Sequence, residues 1–266
     1  DLGHTPFGHA GQDAMDEVMQ TFGSHFEHNE QSFRVLHELE EKSDEYRGIN
    51  LSFEVLDGLL KHRTRYDHPA CSDHLMPSLE AQIVNIADEI AYQSHDIDDG
   101  LRSGILTGEG LMDLDIWKYA AADKMPSNVP EIRKYQMVTS IISLLVNNLA
   151  SNTNKKLQKL GINTTADIYA HDGQIAQFSD EVSQMAVQLK DYLYTHFYSA
   201  KEVMKYNDEG KKVITGLFRV LHEKPENLPE KYHAQLDQEE RHIVVKDYIA
   251  GMTDIYAMDL YAKLAK

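Results

Sequence analysis

The sequence lacks most features that mark secreted or membrane-bound proteins. Among its 266 residues there is one cysteine, Cys71, so no disulfide can form within the chain. Such cysteine usage is typical of proteins from a reducing cytoplasm. There is no secretory signal, and the longest apolar run, around residues 141–146, is far too short to span a bilayer. We therefore expect a cytoplasmic protein without membrane segments.

Basic residues are also scarce. The chain has 26 lysines and arginines against 43 acidic residues, which gives a formal net charge of -17. This balance argues against nucleic acid as the main ligand and against binding to anionic membrane surfaces. An anionic substrate would need a cation close to its binding site.

The apolar residues follow a helical period along most of the chain, and we predict one mainly helical domain with a helical C-terminal extension. A hydrophobic content of 42% is enough for a sizeable core. Residues 161–173 are predicted as a loop or short hairpin, and Gly210 and Gly216 are expected to interrupt a helix over residues 201–221. The predicted helices cover residues 12–22, 28–39, 52–63, 78–100, 113–122, 131–150, 175–198 and 238–264, with the polar residues 147–154 ending the sixth.

Residues 85–100 carry the strongest concentration of polar groups on one helical face. At about 3.6 residues per turn, three isoleucines, Ile86, Ile90 and Ile97, fall on one side of the helix. The other side carries Asp88, Tyr92, His95, Asp96 and Asp99. Carboxylates are rarely buried without a partner, so this face indicates a metal or a polar ligand, although a solvated acidic face is the more common arrangement.

Two histidines occur in the first eleven residues, His4 and His9, and a third, His28, lies near the start of the second predicted helix. Glycines and a proline around His4 and His9 predict a tight loop on which the backbone can approach a ligand. Imidazole and carboxylate together suit Mn, Fe, Zn or Ni, and carboxylate with water suits Mg. Lys61, His62 and Arg63 end the third helix, either as favourable cations at a helix C-terminus or as a phosphate clamp.

Several segments together resemble the bacterial deoxynucleoside triphosphate triphosphohydrolases, a dGTPase-like family within the HD-domain metal phosphohydrolases. The similar segments run in order from residue 1 to about residue 260: DLGHTPFGHAG, FEHNEQS, NLSFEVLDGLLKH, SLEAQIVNIADEIAYQSHDIDDG and DYIAGMTDIYA. The resemblance implies an all-α fold, with an HD-type catalytic core over residues 1–104. Residues 105–266 would complete the core, the substrate pocket and the contacts of a homo-oligomer, a tetramer or hexamer.

The resemblance also implies a divalent metal ion, Mg, Mn, Fe, Ni or Zn. In this family a histidine, a His-Asp pair and a later aspartate bind the metal. Asp1 matches the aspartate of the pair, and Asp88 matches the final aspartate. The histidine of the pair and the first histidine ligand are expected among residues that precede Asp1, and the core is expected to be incomplete at its N-terminal end.

By the same resemblance, His9 is the catalytic histidine that protonates the leaving 5'-oxygen, and His4 and His28 line the phosphate site. Gln12 stands where the family commonly has a glutamate that partners the catalytic histidine. A glutamine keeps a hydrogen bond but carries no charge, so we expect a lower pKa for His9 and weaker catalysis.

Three further residues match positions that contact substrate in the family. Lys61 matches a lysine that contacts phosphate, Tyr92 a tyrosine that packs on the deoxyribose where a 2'-hydroxyl would clash, and Asp96 an aspartate that binds the 3'-hydroxyl. The implied reaction is attack of water on the alpha-phosphorus, which releases a deoxynucleoside and inorganic triphosphate. The chain has no glycine-rich phosphate loop of the Walker type.

Two alternatives stay open at this point. One is another HD-type nucleotide phosphohydrolase, a phosphomonoesterase or phosphodiesterase. The other is a catalytically weakened subunit that binds nucleotides and regulates a partner, which Gln12 favours.

Overall fold

The computed structural model describes residues 2–61, 76–123 and 127–265, and these residues are all-α, as predicted. They contain no β-strand, only an isolated bridge between Glu41 and Gly48. In chain order the α-helices are α1 (Gly8–Gln20), α2 (His28–Arg34), α3 (Phe53–Leu60), α4 (Leu79–Ser103), α5 (Gly108–Leu111), α6 (Asp115–Asp123), α7 (Pro130–Leu160), α8 (Thr165–Ala170), α9 (Asp180–Leu193), α10 (Lys201–Glu223), α11 (Glu230–Leu236), α12 (Arg241–Ala250) and α13 (Asp254–Leu264). Single π-helical turns extend α2 over Val35–Leu39 and α9 over Tyr194–Tyr198.

The chain divides into two compact units, each with its own hydrophobic core. The first unit comprises residues 1–60 and 204–266 and therefore contains both ends of the chain. Its core is built from apolar side chains of α1, α10, α12 and α13, among them Met15, Met19, Leu217, Val245 and Ala257. Because α1 packs with helices near the end of the chain, contacts between distant sequence segments hold this unit together.

The second unit comprises residues 61–203. Its core lies between α4, α6, α7 and α9, and its buried side chains include Ile90, Ile97, Ile116, Ile141 and Leu189. The predicted boundary at residue 104 between a catalytic core and a continuation stays a prediction.

The ends of α4 follow the signals in the sequence. The Ser78 hydroxyl accepts a hydrogen bond from the backbone N–H of Ala81 at 3.2 Å and so caps the N-terminus. Gly104 ends the helix with a φ of 76°, a left-handed conformation that favours glycine. The predicted start of this helix at Ser78 is confirmed.

The prediction that residues 147–154 end a helix is wrong. Helix α7 continues to Leu160 because its polar side chains bind the segment that precedes α9. Asn148 exchanges hydrogen bonds with Ser179 at 2.9 and 3.0 Å, and Asn152 donates to the carbonyl of Gln177 at 3.0 Å. These asparagines therefore mark a contact within the second unit.

Three further local predictions need correction. Residues 161–173 contain α8, whose N-terminus has a capping box formed by Thr164 and Asp167. Gly210 and Gly216 lie inside the continuous helix α10, where the rings of Phe7 and Tyr261 pack closely against them. The predicted helix over residues 238–264 is broken at residues 251–253, so that α12 and α13 are separate.

No helix of the described residues combines the length and the apolar character needed to cross a membrane.

Candidate active site

The first unit brings together the three histidines that the sequence singled out. The rings of His4 and His28 are stacked, with their centroids 4.0 Å apart and an angle of 10° between the planes. The exposed ring of His9 stands edge-on, 5.1 Å from His4 and 6.1 Å from His28 between centroids. One loop and the starts of two helices thus form a compact imidazole cluster.

Close backbone contact between the N-terminal loop and α2 makes this stacking possible. Gly3 donates its backbone N–H to the Ser32 hydroxyl at 2.9 Å. A Cβ at Gly3 would overlap the carbonyl oxygen of His28 and the backbone nitrogen of Ser32. Only glycine fits here, and this contact places the next residue, His4, over the ring of His28.

His9 lies on the first turn of α1, so its predicted position in a loop is wrong. The helix begins at Gly8 because Phe7 adopts a left-handed conformation, with a φ of 66°, and turns the chain. The Asp254 carboxylate accepts the backbone N–H of Phe7 at 3.0 Å and holds this conformation. Gly11 also lies inside this helix, where a side chain would overlap the Pro6 carbonyl.

Helix α2, which presents His28, is fixed to α12 through a buried carboxylate. Asp247 accepts hydrogen bonds from Gln31 at 2.8 Å and from the Arg34 guanidinium at 2.9 Å. The same guanidinium also pairs with Glu239. Because a buried charge is costly without partners, this network restrains α2 and with it the orientation of His28.

Gln12 contacts His28. Its carboxamide oxygen lies 3.1 Å from the backbone nitrogen of His28 and 2.8 Å from the ring Nδ1. The Glu27 carboxylate lies 2.9 Å from the same Nδ1, and all three side chains are buried. The expected pairing of Gln12 with His9, and its effect on the pKa of His9, stay predictions.

The environment of His4 keeps its imidazole neutral. Burial, followed by the charges of His28 and His9, lowers the pKa of His4 from 6.5 to about 3. Its Nδ1 is buried and has no hydrogen-bond partner among the described residues. The cluster therefore holds one imidazole that stays uncharged at neutral pH.

In the second unit, α4 has the two faces that its sequence predicts. Ile86, Ile90 and Ile97 are buried in the core. Asp88, Tyr92 and Asp96 are half-buried at successive turns of the helix, and His95 and Asp99 are exposed. The helix thus presents two carboxylates and a phenol on one side.

Tyr198, in the π-helical turn after α9, donates its hydroxyl to the Asp96 carboxylate. Burial raises the pKa of Asp96, the hydrogen bond from Tyr198 opposes that rise, and Asp99 adds to it. Burial and the nearby carboxylate raise the pKa of Tyr198, so that its hydroxyl stays protonated. Asp96 is therefore a carboxylate of fixed orientation.

The structure describes only some of the other predicted site residues. Asp1, His62 and Arg63 lie outside the described residues, and Lys61 is half-buried directly after α3. In the part of the chain that the structure describes, no three His, Cys, Asp or Glu side chains are arranged to hold a metal ion. The metal ligation by Asp1 and Asp88 stays a prediction.

The sequence interpretation did not single out Glu27, and it favoured a core role for Tyr198 over a place in a base pocket. Glu27 precedes His28 directly and caps α2 by accepting the backbone N–H groups of Asn29 and Glu30. Because Asn, Asp, Ser and Thr are the preferred N-cap residues, a glutamate at this position gave only a weak signal. Tyr198 had no local signal, since 102 positions separate it from Asp96 and aromatic residues at helical spacing usually belong to a core.

Comparisons with known protein families match two segments of the chain. Residues 1–93 match the model of the HD domain, and residues 176–263 match that of the phosphohydrolase-associated domain. A deoxyguanosinetriphosphate triphosphohydrolase-like protein of Geobacter sulfurreducens is 40% identical over 99% of this chain and 70% of its own length.

Two relatives with the same name come from other bacteria. The protein of Leptospira interrogans is 39% identical over 99% of this chain and 71% of its own length, and that of Ralstonia pickettii is 38% identical over 99% and 70%. Identity of this extent over nearly the whole chain, together with the HD-domain match, shows that the chain belongs to the deoxyguanosinetriphosphate triphosphohydrolase-like family of HD-domain, metal-dependent phosphohydrolases.

Proposed function

We propose that this protein hydrolyses deoxynucleoside triphosphates to a deoxynucleoside and inorganic triphosphate. The observation that carries the proposal is the cluster of His4, His9 and His28, which joins an exposed imidazole to a neutral one. Such a cluster provides a proton donor beside hydrogen-bonding groups for a phosphate chain. The names of the relatives, deoxyguanosinetriphosphate triphosphohydrolase-like proteins, support the same substrate class.

A divalent cation, Mg, Mn, Fe, Ni or Zn, would be held by Asp1 and Asp88. The half-buried carboxylate of Asp88 is of the donor type that these ions accept. When bound, such an ion lowers the pKa of water and neutralises phosphate charge. This chemistry answers the difficulty that a chain of net charge -17 must bind a polyanion.

In the proposed reaction, the exposed His9 protonates the 5'-oxygen as it leaves the alpha-phosphorus. His4 and His28 contact the phosphate oxygens, and Lys61 pairs with the phosphate chain as a flexible cation. Gln12 supports His28 through the hydrogen bonds described above.

The sugar would be recognised on α4, one and two turns beyond Asp88. Tyr92 packs on the deoxyribose and leaves no room for a 2'-hydroxyl, so ribonucleotides are excluded. Asp96 accepts a hydrogen bond from the 3'-hydroxyl, and the hydroxyl of Tyr198 keeps its carboxylate oriented.

An assay of products with each deoxynucleotide and Mn or Mg tests the proposal. We expect inorganic triphosphate and deoxynucleoside, no turnover after chelation of the metal, and loss of turnover in His9→Gln. The matched control is His25→Gln, which removes an exposed imidazole of the first unit. Release of orthophosphate instead would assign the chain to another HD-type phosphohydrolase, a phosphomonoesterase or phosphodiesterase.

Gln12 favours a second candidate, a subunit that binds nucleotides and regulates a partner. Wild type and Gln12→Glu would then both be inert towards every deoxynucleotide while nucleotide still binds. We also propose a homo-oligomer, and light scattering of the purified protein with and without nucleotide measures its size.

A further inference from the structure

Hydrogen bonds surround the carboxylate of Glu27, the residue before α2. One oxygen accepts the backbone N–H groups of Asn29 at 2.9 Å and Glu30 at 3.0 Å. The other accepts the Asn29 side-chain amide at 2.9 Å and lies 2.9 Å from Nδ1 of His28. Burial disfavours the charged form, but these bonds outweigh it and lower the pKa of Glu27. Glu27 is therefore an ionised carboxylate in a buried site.

The orientation of the Gln12 amide follows from the same region. Its oxygen faces the backbone N–H of His28, which can only donate, so a flipped amide would bring two donors together. The ring Nδ1 of His28 then lies between two acceptors, the Gln12 oxygen at 2.8 Å and the Glu27 carboxylate at 2.9 Å. An acceptor lone pair on Nδ1 would be repelled by both, so Nδ1 carries the hydrogen.

We propose that Glu27 is a positioning residue that holds His28 as the Nδ1–H tautomer and supplies the negative charge that Gln12 does not carry. The lone pair of the neutral ring, or the second N–H of the charged ring, is then at Nε2. For its effect on catalysis the inference depends on the proposed function, in which His28 contacts phosphate. The tautomer itself does not depend on it.

The two partners of His28 Nδ1 have different tasks. The Gln12 oxygen also binds the His28 backbone and so sets the position of the residue. The Glu27 carboxylate adds charge, and charge-assisted hydrogen bonds are roughly twice as strong as neutral ones. Because the same carboxylate caps α2, the start of the helix and the imidazole share one anchor.

Nitrogen-15 NMR of the histidine rings tests the inference without any substrate. We expect wild-type His28 to carry its proton on Nδ1, and Glu27→Gln to shift the population towards the Nε2–H tautomer. The matched control is Glu30→Gln, which removes another carboxylate of α2, the exposed partner of His25. This variant should leave the His28 signals unchanged. An Nε2–H tautomer in the wild type, or no change in Glu27→Gln, overturns the inference.

A rescue experiment tests the contribution of the charge. The kcat of Glu27→Gln should fall by about tenfold or more while KM changes little, because a hydrogen bond to a charged group is lost. Adding Gln12→Glu places a carboxylate at the other acceptor position and should restore both the tautomer and kcat. Failure of the double variant to restore the tautomer contradicts the inference. If wild type shows no turnover at all, the proposed function fails, and the NMR result still decides the role of Glu27.

Discussion

His4 shows how burial decides the charge of one residue. Its pKa of about 3 lies below the ordinary value of 6.5, so in this range of pH the unfolded chain binds a proton that the folded chain does not. The neutral His4 costs no stability above pH 6.5, and the free energy of unfolding falls as the pH is lowered from 6.5 towards 3. The free energy of unfolding should decrease with a slope of at most about 1.4 kcal/mol per pH unit from this residue.

Urea unfolding of wild type and His4→Gln over this range measures the effect. The variant should show a shallower dependence of the unfolding free energy on pH. The matched control is His25→Gln, which removes an exposed imidazole of the same unit. Equal slopes for His4→Gln and wild type would show that His4 titrates normally in the folded protein.

The hydroxyl of Tyr198 stabilises the charged form of Asp96, so Tyr198→Phe should raise the pKa of Asp96 further. At neutral pH the free energy of unfolding should fall by about 1–3 kcal/mol, since a half-buried carboxylate loses its donor. Carbon-13 NMR titration of the Asp96 carboxyl and urea unfolding measure the two effects. Tyr194→Phe, at an exposed ring four residues earlier, should change neither, and an unchanged titration in Tyr198→Phe would contradict the assigned hydrogen bond.

At the scale of elements, Gly210 allows the start of α1 to pack directly against α10. A Cβ on Gly210 would lie 2.5 Å from Cγ of Phe7, the residue whose left-handed backbone begins α1. Gly210→Ala should therefore lower the free energy of unfolding by about 1–3 kcal/mol, even though alanine is the better helix former. It should also disturb the histidine cluster and reduce turnover.

Thermal and urea unfolding check this prediction, with Gly108→Ala as the control. Gly108 lies in α5 with a negative φ and no heavy atom within 4 Å of an added Cβ, so its replacement should be neutral or slightly stabilising. A Gly210→Ala variant as stable as wild type would mean that Phe7 moves away at no cost.

Local signals predicted individual elements well where a cap or a period decides the conformation. Ser78 starts α4, and the buried isoleucines of that helix follow its period. The sequence failed where tertiary contacts override propensity. The asparagines of α7 bind the segment before α9. Gly210 and Gly216 pack against aromatic rings. In each case the partner is distant in sequence.

For the whole molecule, periodicity was sufficient to predict a mainly helical chain, and the motifs were sufficient to predict the family and, through it, the all-α fold. The grouping of His4, His9 and His28 followed from motif resemblance and is present in the first unit. The partners that orient these groups were harder to predict. Tyr198 reaches Asp96 across 102 positions, and the shared role of Glu27 and Gln12 depends on a contact across a loop.

The central proposal for the whole molecule is that water attacks the alpha-phosphorus. Hydrolysis in oxygen-18 water tests it most directly. Phosphorus NMR of the phosphate products and mass spectrometry of the deoxynucleoside, after reaction of a deoxynucleoside triphosphate with Mn or Mg, would locate the label. Attack on the alpha-phosphorus predicts one labelled oxygen in inorganic triphosphate and an unlabelled deoxynucleoside. Label in orthophosphate or in the hydroxyl of the deoxynucleoside would contradict the account.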